Sequence, residues 1–87
     1  MRYLDAPVPR YPPKSKLLGE SGRVHVRVLV DAAGLPSQAA IAKSSGYGRL
    51  DEAALSAVRA ARFKPYTENG QPQVFWVVIP LIFELEN

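Results

Sequence analysis

Gln73–Leu85 reads QVFWVVIPLIFEL, and the reading of these thirteen residues decides the fold. They form a long apolar run, rich in β-branched and aromatic side chains, as a strand requires. A helix crossing a bilayer needs roughly 20 apolar residues, so the run is too short to span a membrane. Taken with a period of two, Phe75, Val77, Ile79, Leu81, Phe83 and Leu85 share one face and are expected to face the core. Val74, Trp76, Val78, Pro80, Ile82 and Glu84 share the other, which is mixed and partly wet. Pro80 has no N–H to donate, so it belongs on an edge strand with the missing donor turned away from the sheet. Backbone groups alternate sides along a strand. Val78, Ile82 and Glu84 therefore also aim outward, while Ile79, Leu81 and Phe83 bond inward. No charge lies between Gln73 and Phe83 to blunt that edge. Such an edge is either an aggregation hazard or a rail for another strand.

The composition sets wide limits. The 87 residues suffice for one small domain, and 47% hydrophobic with 22% charged is ordinary for a folded chain. There is no cysteine, which removes disulfides and thiolate metal sites without choosing a compartment. No signal peptide or membrane span is present in the sequence. Of the formal charge of +3, the bias is at the front: residues 1–30 carry six Lys/Arg against two acids. That bias permits attraction to acidic partners and does not by itself argue for nucleic acid.

Working back from the last strand, Thr67-Glu68-Asn69-Gly70 is a turn, and Pro65 stops the helix before it. Leu50–Ala61 carries Ala54, Leu55, Val58 and Ala61 on one face at helical spacing. Asp51 and Glu52 sit at its start, and Arg59, Arg62 and Lys64 at or beyond its end, which complements the helix dipole. Ser44–Gly48 is a loop. Arg23–Asp31 alternates cleanly, with Val24, Val26, Val28 and Val30 on one side. Asp31-Ala-Ala-Gly34 turns the chain into a second extended segment from Pro36 to about Lys43. Lys14–Leu18 has room for one helical turn. Residues 1–13 hold four of the eight prolines and read as extended linker.

These pieces predict a small α+β domain. It has a three-stranded antiparallel sheet with one long and one short helix packed on one face. A right-handed crossover over that face gives the spatial order second, first, last strand, which puts the last strand on an edge in agreement with Pro80. Val26, Val28, Leu55, Val58, Phe63, Leu81 and Phe83 are the expected shared core.

The candidate chemistry is thin. Gly46-x-Gly48 lies between strand and helix, but Asp51 stands where a pyrophosphate-binding loop needs glycine, so the loop reads as a flexible turn. His25, the one histidine, alternates onto the solvated face beside Arg27 and lacks partners for a metal site or a triad. No catalytic residue, metal or cofactor is expected, and the chain is not read as an enzyme. Arg23, His25, Arg27 and Trp76 are expected to share the sheet face away from the helix, with an Arg over the indole. Arg59 and Arg62 read as a solvated basic helix end.

Tyr11-Pro12, Gly22 with Val24-x-Val26 and Val28, and Ser44-Ser45-Gly46 recur in a known order here. Leu50-Asp51-x-Ala53-Ala54-Leu55-x-Ala57-Val58-Arg59, Arg62-Phe63-x-Pro65, Gly70-x-Pro72 and Ile79-Pro80-Leu81-x-Phe83 complete the set. Together they resemble the C-terminal domain of TonB-type energy transducers over roughly residues 10–85. One departure is Ala60-Ala61, where the family often has an aromatic before the arginine.

The resemblance implies a periplasmic domain at the end of a proline-rich linker, with residues 1–10 as the linker's end and 11–87 as the domain. It implies an N-terminal inner-membrane anchor, absent here, joined to a proton-motive complex. It also implies a partner: the TonB-box segment of an outer-membrane TonB-dependent transporter, captured as an added strand. Trp76, Val78, Pro80, Ile82 and Glu84 are the expected partner-binding residues, with Arg10 and Tyr11 assigned to the same surface. Nucleic acid is not an expected partner, and the domain is expected to be a monomer that pairs weakly with itself at high concentration. The rival readings are a self-associating scaffold, another strand-adding peptide binder, or a weak nucleic-acid binder using the basic first half.

Overall fold

A computed structural model describes residues 2–85. Strand β1 (Tyr3–Asp5) and helix α1 (Pro13–Leu18) precede the hairpin of β2 (Gly22–Val30) and β3 (Pro36–Lys43). Helix α2 (Gly48–Ala60) follows, then short strands β4 (Arg62–Phe63), β5 (Tyr66–Glu68) and β6 (Gln71–Gln73), and finally β7 (Phe75–Phe83). The main sheet has three strands in the order β3-β2-β7, both pairings antiparallel. The α+β class, the spatial order and the edge position of the last strand all agree with the sequence reading. The domain expected over 11–87 has its final two residues outside the described ones.

The pairing of β2 with β7 is long and regular. It runs from Gly22 opposite Phe83 to Val30 opposite Phe75 without a shift. Side-chain parity does the rest: Val24, Val26, Val28 and Val30 lie beside Leu81, Ile79, Val77 and Phe75 on the helix side. The valines are fully buried, with Ile79, Leu81 and Phe83 nearly so. Against them α2 sets Leu50, Ala54, Leu55, Ala57 and Val58, with Ala61 just past its end. Phe63 closes the layer, fully buried. Each fully buried Val or Leu contributes about 1.5–3 kcal/mol of transfer free energy, so the valine face outweighs any surface interaction in this chain. All seven residues expected in the core are there.

Asp31 builds the β2–β3 turn by accepting the N–H groups of Ala33 and Leu35 on Oδ1, both at 2.9 Å. Gly34 is at φ +85°, and a Cβ there would lie 2.1 Å from the carbonyl oxygen of Phe63. Its own carbonyl accepts the Phe63 N–H at 2.9 Å. The hairpin tip and the chain leaving α2 are thus pressed together at a spot where only glycine fits.

Three features differ from the sequence reading. Leu85 does not face the core: it is exposed, because β7 ends at Phe83 opposite Gly22, the first residue of β2, and no neighbouring strand remains to hold the chain beyond it. Within the stretch read as extended linker, Tyr3–Asp5 pairs antiparallel with Arg62–Phe63, and the rings of Tyr3 and Phe63 lie 5.4 Å apart. The 67–70 turn has paired arms: β5 and β6 join through Asn69 (φ 51°) and Gly70 (φ 78°), the left-handed pair a two-residue hairpin favours.

Candidate functional site

Register fixes what the outer edge of β7 offers. Pro80 lies opposite His25, and a residue without an N–H cannot sit in a hydrogen-bonded pair. The bonded pairs are therefore the odd-numbered ones, Ile79 with Val26 and Leu81 with Val24 among them. The N–H groups of Trp76, Val78 and Ile82 point away from β2, as do the carbonyls of the same residues and of Pro80. With β7 at the end of the strand order, no strand among the described residues takes them. The side chains of this row face the side of the sheet away from α2. Trp76, Val78 and Ile82 are each 50% exposed. Pro80 and Glu84 are exposed as well.

The opposite edge, β3, is less inviting. Its sequence PSQAAIAK carries Ser37, Gln38 and Lys43 and no large apolar side chain except Ile41. The Ser37 hydroxyl already donates to the Leu29 carbonyl at 3.0 Å. Of the two edges, β7 has the apolar relief.

Behind β7, the open sheet face carries Arg23, His25 and Arg27 as expected. The Arg27 guanidinium carbon sits 4.5 Å from the centre of the Trp76 ring. An exposed pair of this kind contributes about 0.5–1 kcal/mol and limits the rotamers of the indole. His25 is half-buried between Lys43 and Pro80 on its two neighbouring strands.

Arg10 and Tyr11 part company in space. Tyr11 packs edge-on against Phe83, with ring centres 5.4 Å apart, and its hydroxyl donates to the Glu20 carbonyl. It covers the end of β7 from the helix side. Arg10 instead lines a shallow groove along α2 with Arg49, Glu52 and Ser56. The structure therefore does not bring Arg10 together with the outward row of Trp76, Val78 and Ile82.

Two polar clusters lie away from this edge, around the start of α2. Glu20 is nearly buried: it accepts the Ser15 hydroxyl at 2.7 Å and the Arg49 guanidinium at 3.2 Å, which ties α1 to the start of α2. At the same helix start, Asp51 collects the Ser44 hydroxyl together with the Ser45 N–H at 3.0 Å and the Ser45 hydroxyl at 2.7 Å. Partial desolvation pushes the Asp51 carboxyl up, and these hydrogen bonds outweigh it, so the group is held below its ordinary value. The donors a phosphate would need in this loop are already engaged: the Ser45 N–H by the Asp51 carboxylate, and the Gly46 and Tyr47 N–H groups by the Ser44 and Ser45 hydroxyls. No group of three or more His, Asp or Glu able to hold a metal occurs among the described residues.

The sequence reading missed a third feature at the start of β7. An open groove there is lined by Arg2, Lys64, Pro65, Tyr66, Phe75 and Trp76. Its pieces come from three separate segments, which no local pattern connects.

A half-open α+β domain with one long apolar edge strand is the class that this fold and edge define. Residues 7–85 match the family model described as Gram-negative bacterial TonB protein C-terminal, and the chain belongs to that family. Protein tonB2 of Pseudomonas aeruginosa is 40% identical over 83 residues, 95% of this chain and 31% of that protein. Protein TonB of Vibrio cholerae is 35% identical over 79 residues, 91% of this chain and 32% of that protein. The chain thus spans about a third of the length of these relatives. The solution structure of the Pseudomonas aeruginosa TonB C-terminal domain superposes with a TM-score of 0.83 at 22% identity. That overlay covers 99% of this chain and 87% of the other, and at this identity it speaks for the fold. The Helicobacter pylori TonB C-terminal domain gives 0.71 at 29% identity, covering 91% and 83%. Among the described residues, no helix is long and apolar enough to cross a membrane.

Proposed function

We propose that this domain captures an extended segment of an outer-membrane transporter, its TonB box, as an added strand along the outer edge of Phe75–Phe83. It does so in the periplasm, as the C-terminal part of an inner-membrane-anchored transducer that couples the proton-motive force to transport. The work is binding and not catalysis. Residues 1–10 act as the end of the linker from that anchor, with Tyr3–Asp5 giving the linker a foothold on the domain.

One observation carries the reading: the outward row of β7 has N–H and C=O groups that no strand among the described residues takes, apolar relief at Trp76, Val78 and Ile82, and no charge before Glu84. Main-chain hydrogen bonds to such an edge supply attachment, and the side chains between them supply choice. A micromolar complex corresponds to about −8 kcal/mol, a reasonable scale once ordering of the peptide is subtracted. The family membership directs the choice of partner.

The test is amide hydrogen exchange with and without a synthetic transporter segment. Binding should slow exchange at Trp76, Val78 and Ile82, while Ile79 and Leu81, already bonded to β2, change little. Protection confined to β3, or to the open sheet face with the β7 amides unchanged, overturns the assignment of the edge. Salt separates the nucleic-acid alternative: affinity for phosphate falls steeply with ionic strength, and strand addition changes little.

A further inference from the structure

The open face of the sheet, on the side away from α2, serves neither the core nor the hydrogen-bond ladder of an added strand. Arg23, His25, Arg27 and Leu29 of β2 form its middle row, with Trp76, Val78, Pro80 and Ile82 of β7 beside them. On the other flank, Lys43 of β3 lies opposite His25. Arg23, Arg27 and Lys43 are exposed. Strand geometry spaces Arg23 and Arg27 about 13 Å apart and sets Lys43 about 5 Å across from His25.

This face carries charge of one sign. None of its three strands contains an acidic residue. The acids just beyond them are Asp31, which closes its own turn through the Ala33 and Leu35 N–H groups, and Glu84, one residue past β7. The ion pair between Glu20 and Arg49 lies on the helix side, and among the described residues Arg23, Arg27 and Lys43 have no acidic partner. Cations gathered without counter-charge repel one another, and an anionic surface laid against them relieves that repulsion.

The apolar row of β7 says what kind of surface. An indole and two aliphatic side chains beside a row of cations make the amphipathic division with which proteins lie on membranes. The apolar groups enter the headgroup layer and the cations meet the phosphates. Arg27 over the Trp76 ring, at 4.5 Å, puts charge and indole at one level. An acidic strand would follow one row at a time, whereas a plane of phosphates meets Arg23, Arg27 and Lys43 together. A second copy of this chain brings the same positive face and is the poorer occupant.

We propose that the open sheet face is a membrane-contact surface, resting on anionic phospholipid headgroups through Arg23, Arg27 and Lys43 with Trp76, Val78 and Ile82 in the headgroup layer. The contact does not engage the main-chain groups of the β7 edge, so it goes beyond the capture reading and does not depend on it.

The probes are vesicles of phosphatidylcholine alone and of phosphatidylcholine with an equal part of phosphatidylglycerol. They are used at about 0.1 M salt, where charges more than about 10 Å apart are largely screened. Co-sedimentation reads binding, and the emission of Trp76, the one tryptophan in the chain, reads which face makes contact. The mixed vesicles should bind the parent and shift Trp76 emission to the blue, and the neutral vesicles should do neither. Arg23→Gln/Arg27→Gln/Lys43→Gln should weaken binding about a hundredfold, from about fivefold for each cation near an anionic surface. Arg10→Gln/Lys14→Gln/Arg59→Gln removes the same charge from the helix layer and should weaken it less than about fivefold. Circular dichroism verifies that both triple variants are folded. Equal losses in the two variants overturn the proposal, because net charge then accounts for the attraction. Equal binding to both vesicles overturns it too, as does binding that leaves Trp76 emission unmoved. A parent that ignores the mixed vesicles overturns membrane contact and leaves strand addition standing. A Trp76 shift given by polyglutamate and not by vesicles assigns the face to an acidic chain, and one given by protein concentration alone assigns it to a second copy; either result overturns the proposal.

Discussion

Two neighbouring prolines separate the fold from the edge. Leu81→Pro removes an N–H that belongs to the ladder with Val24 and deletes a side chain only 5% exposed. Losing a buried Leu side chain costs about 2–5 kcal/mol, and the lost ladder bond leaves the Val24 carbonyl unpaired in the core at about 1–3 kcal/mol more. Together these approach the 5–15 kcal/mol that holds an average domain, so Leu81→Pro should be unfolded at room temperature. Ile82→Pro removes an outward N–H and a half-exposed side chain opposite Arg23. Its cost is the lost half of an Ile contact and some backbone strain, about 1–2 kcal/mol, which is a fall of roughly 5–15 °C in melting temperature for a domain this size. Peptide affinity should nevertheless drop about tenfold or more, because one interstrand hydrogen bond is gone and the ring stands in the approach. Thermal melts by circular dichroism give the first pair of numbers, and titration with the transporter segment gives the second. A cooperatively folded Leu81→Pro would refute the register argument, and a folded Ile82→Pro that binds like the parent would refute capture at this edge.

Gly34→Ala should destabilise the domain by at least about 2 kcal/mol in urea, since the left-handed backbone and the Phe63 carbonyl both exclude a Cβ; a wild-type midpoint would contradict the packing at the hairpin tip. Asp51 makes a pH prediction. Its folded-state value lies below the ordinary 3.8, so its contribution is present above that value and is lost as pH falls through the lowered one. Between pH of about 5 and about 2, the parent should lose more stability than Asp51→Asn, and parallel acid-melting curves would count against the Ser44–Ser45 cluster.

What the sequence disclosed, it disclosed through periodicity and through residues with one physical meaning. Four valines two apart announced the buried face of β2, and Pro80 alone implied both the edge position and the direction of every backbone group on β7. What stayed hidden depends on contacts between distant short segments. Tyr3–Asp5 is three residues among prolines, too short for alternation to register, and it becomes a strand only because Arg62–Phe63 lies beside it. Glu20 gave no signal of burial because its partners, Ser15 and Arg49, come from different elements, Arg49 being 29 positions away. Leu85 shows the opposite failure: the period of two runs on through the sequence after the partner strand has ended. The Asn69-Gly70 dipeptide was legible as a turn, yet Pro72 and the polar arms masked the hairpin it closes. The candidate edge was thus readable, whereas the groove beside it, assembled from Arg2, Lys64–Tyr66 and Phe75–Trp76, was not.

Pro80 also bears on whether the edge receives a peptide or another copy of itself. Along β7 the outward donors come at Trp76, Val78 and Ile82, and the gap at Pro80 leaves Val78 and Ile82 about 13 Å apart. A peptide laid on the edge finds one donor missing there, and the Pro80 carbonyl still faces it. Two copies pairing through the same edge each bring a Pro80, so any register overlapping both lacks two donors. The apolar row is attractive to either partner, and it is the backbone that discriminates. Arg27, stacked on Trp76, adds a second bias: a copy approaching antiparallel brings its own basic sheet face alongside, and like charges oppose it. An edge with a single proline near its middle is in this way open to a foreign strand and resistant to its own, which is the property a capture module needs and a scaffold does not.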